Sequence, residues 1–207
     1  MCDFSHNIMN ILDTLTKEEL SLLTLHQYKK DEIIFYENEE CFYVSYIVNG
    51  EVSIVSKNYL GTTMLFNRLE SNEMFGNNLI FSTNPRYKGD VIANKDTTIY
   101  QISKKVLIHL LQHNIEFLIK YQEIQSDFGK NLNDHIKLLS LGDADKRLLF
   151  YLKINKGTIK YKSVTLLAEE LYLSREALSR TLSRLEKDKK IIRTKTYIKV
   201  VEKWKRL

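Results

Sequence analysis

The side chains of this sequence best suited to read another molecule are Arg175, Glu176 and Arg180. A guanidinium presents two parallel donors that match the edge of a guanine, and a carboxylate accepts from the amino group of a cytosine. Their spacing puts them on one surface. Leu178, Leu182 and Leu185 fall at i, i+4 and i+7 and make a core-facing stripe of a helix, while Glu176, Arg180, Ser183 and Lys187 cluster on the far side. Arg175 joins that face from the first turn by reach. A polar face this narrow fits a major groove. Ser174, Ser179, Ser183 and Lys187 then stand where hydroxyls and an ammonium meet phosphate rather than bases. The bland alternative is a solvated helix face, the usual reading of a run of charges. Charge asymmetry argues against it. Residues 141–207 hold 18 Lys and Arg against 8 Asp and Glu, a net of +10, whereas residues 1–140 hold 13 against 18, a net of −5. A basic end on an acidic body is the electrostatic footprint of a protein that meets a polyanion.

Such a face needs a scaffold to aim it. Residues 165–171 read as an apolar helix, a short turn follows, and Ser174-Arg175-Glu176 opens the next helix. Ile191-Ile192-Arg193 and Tyr197-Ile198-Lys199-Val200 are β-prone segments, with residues 158–161 as a third strand. Helix, turn, helix and two strands in this order are what lays one helix in a groove and braces it with a wing, that is, a winged helix-turn-helix. Arg193 and Lys195 sit on that wing, in reach of phosphate. Upstream, Leu141-Gly142-Asp143 supplies a helix stop at Gly142 and an N-cap for a helix running to about Lys153; the hinge between domains belongs there.

The first half has another character. Thr16-Lys17-Glu18-Glu19 is a capping box and predicts a short helix to about Leu25. Short β-branched or aromatic runs follow at 32–35, 42–48, 51–55, 63–66, 89–92 and 98–102, separated by turn signals at Asn49-Gly50, Lys57-Asn58, Gly61 and Asn84-Pro85. Strands at this spacing predict an antiparallel sandwich or roll. Residues 104–112 read as a short helix and 114–140 as a long one, a rod of roughly 39 Å. Along the rod Phe117, Tyr121, Ile124, Phe128, Leu132, Ile136 and Leu139 recur every three or four residues. A stripe that long is hard to bury against one small β domain, so it is expected to form a seam with the twin helix of a second subunit, Gly129 allowing close approach. The alternative is a clamp over the chain's own roll, which periodicity does not separate from a seam.

A β roll, a long helix and a C-terminal winged helix-turn-helix in this order resemble the Crp/Fnr family of bacterial transcription regulators over essentially the whole chain. Leu173-Ser174-Arg175-Glu176-Ala177-Leu178-Ser179-Arg180 is similar to the opening of the family's recognition helix, which implies base reading by the two Arg and the Glu. Val48-Asn49-Gly50-Glu51-Val52 looks like the Gly-centred turn of the roll, and Phe75-Gly76 stands where the effector loop begins. The resemblance implies an α+β protein. An N-terminal antiparallel β roll (double-stranded β-helix) over 1–113 would be the sensor, residues 114–140 a dimerisation helix, and residues 141–207 the DNA-binding domain. It also implies the partners: a palindromic double-stranded operator, a second copy of the chain, RNA polymerase and a small-molecule effector.

Two departures stand out against the family. Tyr172 occupies the turn position where such motifs commonly carry Gly; a tyrosine with positive φ is uncommon, so a turn that is strained or differently shaped is expected. The effector loop departs further. Members that bind cyclic nucleotides resemble one another in a Gly-Glu pair and an Arg-Ser or Arg-Thr pair, whereas here Gly76 precedes Asn77 and Tyr87-Lys88 fills the second position. Asn lacks the carboxylate and Tyr the bidentate cation, leaving Lys88 as a point charge, or Arg86 from a shifted register, to hold a phosphate. An effector other than cyclic AMP is therefore expected. The alternative is a roll that is only structural, in a regulator controlled by a partner or by no signal.

Other chemistries lack their residues. Cys2 and Cys41 are too few for a disulfide framework, a zinc site or an iron-sulfur cluster, and Cys41 reads as a packed or half-exposed loop thiol. His109 and His113 share a helical face, but Leu110 stands where a zinc-protease helix carries Glu; surface histidines are expected, with no metal and no cofactor. Residues 29–103 contain no His, which removes a cupin-like metal oxygenase, and no nucleophile elbow or phosphate-binding Gly loop suggests another enzyme. Residues 1–6 lack the basic and apolar parts of a secretory signal, and no apolar run approaches about 18 residues. The cytoplasm, away from any membrane, is the expected location.

Overall fold

The computed structural model describes residues 10–57 and 63–201. Cys2, His6, the start of the chain read for a secretory signal, and the turn signals at Asn58 and Gly61 lie outside the described residues.

The capping box forms in both directions, with Thr16 Oγ1 accepting from Glu19 N at 3.1 Å and Glu19 Oε2 accepting from Thr16 N at 2.9 Å. The helix it opens, α1 (Lys17–Leu20), is one turn long. It stops short of Leu25 because Thr24–Tyr28 is a strand, β1, fully paired along its length. Seven further strands follow among the described residues: β2 Ile33–Phe35, β3 Tyr43–Asn49, β4 Glu51–Lys57, β5 Thr63–Glu70, β6 Met74–Phe75, β7 Asp90–Ala93 and β8 Thr97–Ser103. They make two four-stranded antiparallel sheets, ordered β1-β8-β3-β6 and β2-β7-β4-β5. The expected hairpin at Asn49-Gly50 joins β3 to β4. Gly50 has φ +126°, and a Cβ there would run into Thr97.

Two helices close the roll. α2 (Lys104–His113) is capped by Ser103 and packs on β3 and β8, which is why four successive β3 residues, Val44 to Ile47, are all buried. Asn114 ends α2 and starts α3 (Ile115–Ser140), its Oδ1 accepting from Phe117 N at 2.9 Å. The apolar stripe of α3 then divides. Phe117 and Tyr121 are fully buried in the core of the roll and Ile124 packs against it, so these three belong to the clamp and are corrected out of the expected seam. Phe128, Leu132, Ile136 and Leu139 remain 37–57% exposed.

The chain divides into two compact units between residues 126 and 127, inside α3. After the end of α3, the second unit holds α4 (Ala144–Ile154), β9 (Thr158–Lys160), α5 (Val164–Glu170), α6 (Arg175–Lys187), β10 (Ile191–Arg193) and β11 (Tyr197–Val200), with the strands ordered β10-β11-β9. Asp143, Ser163 and Ser174 cap α4, α5 and α6 through side-chain oxygens. Leu178, Leu182 and Leu185 are each at most 1% exposed. At roughly 1.5–3 kcal/mol per buried leucine, their transfer out of water is the main anchor of α6.

The helix stops differ from expectation. Gly142 is not left-handed, and a Cβ there would meet nothing within 4 Å. Instead α4, α5 and α6 end with Lys156, Tyr172 and Lys189 at φ +54°, +53° and +56°. In each case the next residue's N–H reaches back to the carbonyl five residues earlier: Gly157 to Leu152, Leu173 to Ala168, and Lys190 to Leu185. This is the Schellman closure with a side-chain-bearing residue at the position glycine usually takes.

Candidate nucleic-acid interface and the closed heart of the roll

The reading face of α6 is exposed along its length. Arg175, Glu176, Ser179, Arg180, Ser183 and Lys187 all lie on the surface, and Ser174 precedes them as the N-cap, accepting from Ala177 N at 3.1 Å. Some are engaged with the helix itself: Arg180 Nε donates to Glu176 O at 3.4 Å and Ser183 Oγ to Ser179 O at 3.1 Å. Beside this face runs an open groove of about 350 Å³ lined by Ala177, Arg180, Thr181 and Arg184. Arg184 is ion-paired with Asp145 at the start of α4, and that pairing raises its pKa further.

The turn before α6 is braced by a residue that sequence patterning does not reveal. Arg147 Nη1 donates to Tyr172 O at 2.8 Å and Leu171 O at 3.3 Å, and its Nε donates to Leu141 O at 2.7 Å. One guanidinium thus holds the left-handed tyrosine turn to the loop before α4, and charge-assisted bonds of this kind are the stronger ones. The Tyr172 ring meets His135 edge-on at 6.4 Å. On the wing, Lys195 sits exposed at the tip between β10 and β11, whereas Arg193 is half-buried and donates to Tyr161 Oη at 3.5 Å. Arg193 is thus partly engaged within the wing, while Lys195 stands free in solvent.

The effector loop is organised quite differently. Asn77 is 4% exposed and tied to α3: its Nδ2 donates to Gln125 Oε1 at 2.5 Å, while its carbonyl accepts from Gln125 Nε2 at 2.9 Å and Tyr121 Oη at 3.2 Å. Tyr87 is 2% exposed and stacks on Phe35 with centroids 4.5 Å apart. Its hydroxyl lies near the Cys41 thiol and has no hydrogen-bond partner among the described residues. Burial pushes both groups above their ordinary pKa ranges, so they stay neutral. Gly76, at φ +79°, lies against the same pair: a Cβ there would stand 3.2 Å from Cys41 Sγ and 3.4 Å from Tyr87 Oη.

Residues 25–114 match the family model of the cyclic nucleotide-binding domain. Among solved structures, a CooA mutant from Carboxydothermus hydrogenoformans superposes with a TM-score of 0.76 at 19% identity, covering 98% of this chain and 95% of that one. The chain has the fold of the Crp/Fnr regulators. FixK2 from Bradyrhizobium japonicum gives 0.62 at 22% identity over 86% and 92% of the two chains. The c-di-GMP responsive global regulator CLP of Xanthomonas campestris gives 0.61 at 20% over 89% and 97%. Comparison with curated proteins gives no match.

Within this Crp/Fnr-type fold, the five residues expected at the effector pocket separate. Gly76, Asn77 and Tyr87 are buried, and Gly76 and Tyr87 meet at Cys41, which is a packed thiol at 3% exposure. Arg86 and Lys88, on either side of the buried Tyr87, are exposed, and Arg86 Nη1 donates to Asn38 O at 2.8 Å. Both cations thus lie on the surface, apart from the buried Gly76, Asn77 and Tyr87. Gln125 and Tyr121 form its other wall, which the sequence does not disclose; the apolar stripe absorbs the tyrosine, and a glutamine on a helix carries no signal of its own.

Proposed function

We propose that the protein is a cytoplasmic, sequence-specific DNA-binding transcription regulator that acts as a homodimer on a palindromic double-stranded operator, with RNA polymerase as a further partner and no catalytic role. The observation that carries this reading is the face of α6: Arg175, Glu176 and Arg180 stand exposed while three buried leucines fix the helix beneath them. The net +10 of the C-terminal third supports it, since neutralised phosphates supply most non-specific affinity. Among the described residues no helix is long and apolar enough to cross a membrane. The division of labour is a sensor over 1–113, a dimerisation helix over 114–140 and a DNA-binding domain over 141–207.

The second half of α3 supports a dimer, with the seam confined to the C-terminal part of the expected stripe. Gly129, Leu132, Ile136 and Leu139 are spaced 3-4-3, as a two-helix seam requires, and the three apolar members are 48–57% exposed. A Cβ on Gly129 would meet nothing in the single chain, so a partner helix has room to come close there. Two recognition helices related by a twofold axis address half-sites about 10 base pairs apart.

The effector is not cyclic AMP, in this reading, because a neutral Tyr87 and an amide at Asn77 offer neither the cation nor the carboxylate that its phosphate and ribose call for. A second reading has the roll as structural only, with control by a partner or by no signal, and a specific observation favours it. Tyr87 stacked on Phe35 fills the place from within, and Asn77 is bonded to Gln125, although the buried Tyr87 hydroxyl has no hydrogen-bond partner among the described residues. Selection of bound DNA from a random pool, with and without cell extract, tests both readings. A twofold-symmetric sequence is expected; recovery of no common sequence overturns DNA reading, and enrichment only with extract revives an effector.

A further inference from the structure

α2 ends in two histidines that neither DNA reading nor the seam uses. His109 and His113 are exposed, one helical turn apart, with ring centroids 4.4 Å apart and planes 29° apart. Side chains at i and i+4 lean over the same patch of surface, so both imidazoles face the same volume of solvent. His113 Nδ1 lies 2.9 Å from the carbonyl oxygen of His109. A carbonyl only accepts, so the proton between them sits on Nδ1, and in the neutral ring the Nε2 lone pair is left free. Histidines that ligate metals nearly always use their second nitrogen in this way, which fixes the tautomer and the orientation of the ring.

We propose that His109 and His113 form a two-imidazole site for a divalent transition-metal ion at the last turn of α2. One further observation fits a cation at this place. The site lies at the C-terminal end of a ten-residue helix, where the last carbonyls favour positive charge. Among the described residues no three or more His, Cys, Asp or Glu gather into a closed cage, so the ion has two protein ligands and completes its shell with water or an outside donor. Imidazole nitrogen suits zinc, nickel and copper, whereas magnesium and calcium call for oxygen.

The position gives the site a structural lever. Asn114 follows His113 directly; its N–H closes α2 on Leu110 O, its Oδ1 caps α3, and its Nδ2 donates to Thr14 O at 2.9 Å and Glu19 Oε2 at 3.0 Å. An ion that clamps the last turn of α2 therefore stiffens the joint from which α3 departs.

Calorimetric titration of the full-length protein with Ni(II) and with Zn(II) is the test. One ion per chain is expected, with affinity weakened about tenfold or more in His109→Gln and in His113→Gln, at least the effect of losing a second-shell partner. His26→Gln, on β1, serves as the control and should titrate like the native chain. All three positions are solvent-accessible, so the metal-free melting temperatures should agree and show that the variants fold. Copper(II) bound to the native protein should show nitrogen coupling in its electron paramagnetic resonance spectrum that diminishes in either variant. Native-like affinity in both α2 variants, or Mg(II) binding as tightly as Ni(II), overturns the site.

Discussion

The roll and the winged unit treat their polar side chains in opposite ways. In the roll, Asn77 is turned inward and bonded on both its amide and its carbonyl, and the Tyr87 ring is packed flat on Phe35. In the winged unit, the apolar side of α6 is buried to completion while Arg175, Glu176 and Arg180 stay in solvent. A buried polar group must be satisfied at home, because leaving it unpaired costs about 1–3 kcal/mol. An exposed one keeps its capacity for a partner. The contrast teaches that Asn77 is satisfied within the roll, whereas the polar side chains of α6 keep their capacity for an outside partner.

Breaking the proposed seam and the core of the roll should have the largest effects. Leu132→Glu places like charges across the proposed seam, and light scattering should then show the mass of one chain in place of two. An unchanged mass would place the dimer interface elsewhere. Tyr87→Ala removes an aromatic ring from the middle of the roll and should cost about 3–5 kcal/mol of unfolding free energy. Calorimetric melting reads this directly, and a loss below about 1 kcal/mol would mean that the ring fills a site meant for something else.

The open region should behave in the reverse manner, with stability untouched and recognition lost. Arg180→Ala should leave unfolding within about 0.5 kcal/mol of the native value, as exposed substitutions do. It should weaken the preferred operator by about 1–3 kcal/mol and relax preference at one base pair in each half-site. Lys195→Ala, at the wing tip, should weaken all sequences alike and lower the slope of affinity against salt by about 1 for each phosphate no longer neutralised. A swap of these two signatures, read by binding at several salt concentrations, would exchange the roles assigned to α6 and the wing.

How far the sequence carries depends on where each signal lives. β10 and β11 are expected at 191–193 and 197–200 and lie there to the residue, because β-branched and aromatic residues are flanked by polar turns. β1 escapes sequence patterning because Thr24-Leu25-His26-Gln27-Tyr28 is half polar; its strand character comes from pairing with β8, Thr24 opposite Gln101. The α3 stripe is plain as a period, but a period does not name its partner: the helix gives Phe117 and Tyr121 to the roll and Leu138 to the core of the second unit, and leaves Phe128, Leu132, Ile136 and Leu139 exposed. At the site, the residue types of α6 are legible, while the inward turn of Asn77 and Tyr87 is not, since burial is a tertiary fact. Arg147 is invisible for a related reason: it binds backbone carbonyls, which carry no sequence signature.

The smallest effect, and the sharpest on the winged unit, concerns Tyr172. Its place in the turn calls for positive φ, and it has φ +53° in a Schellman turn held by Arg147. In that conformation a Cβ costs roughly 1–2 kcal/mol, a strain that glycine escapes. At an ordinary helical position the order is the reverse, and Gly is about 0.5–1 kcal/mol worse than Ala because its unfolded chain has more freedom to lose. Both Tyr172→Ala and Tyr172→Gly give up the ring packing with His135, so comparing them cancels that loss. The glycine variant should therefore melt above the alanine variant, by about 1 kcal/mol of unfolding free energy. The bond from Arg147 does not distinguish the two, because it goes to the residue's carbonyl and survives both changes. If alanine proves the more stable, the turn is not left-handed in solution, and α6 is aimed by a different joint from the one that Arg147 braces.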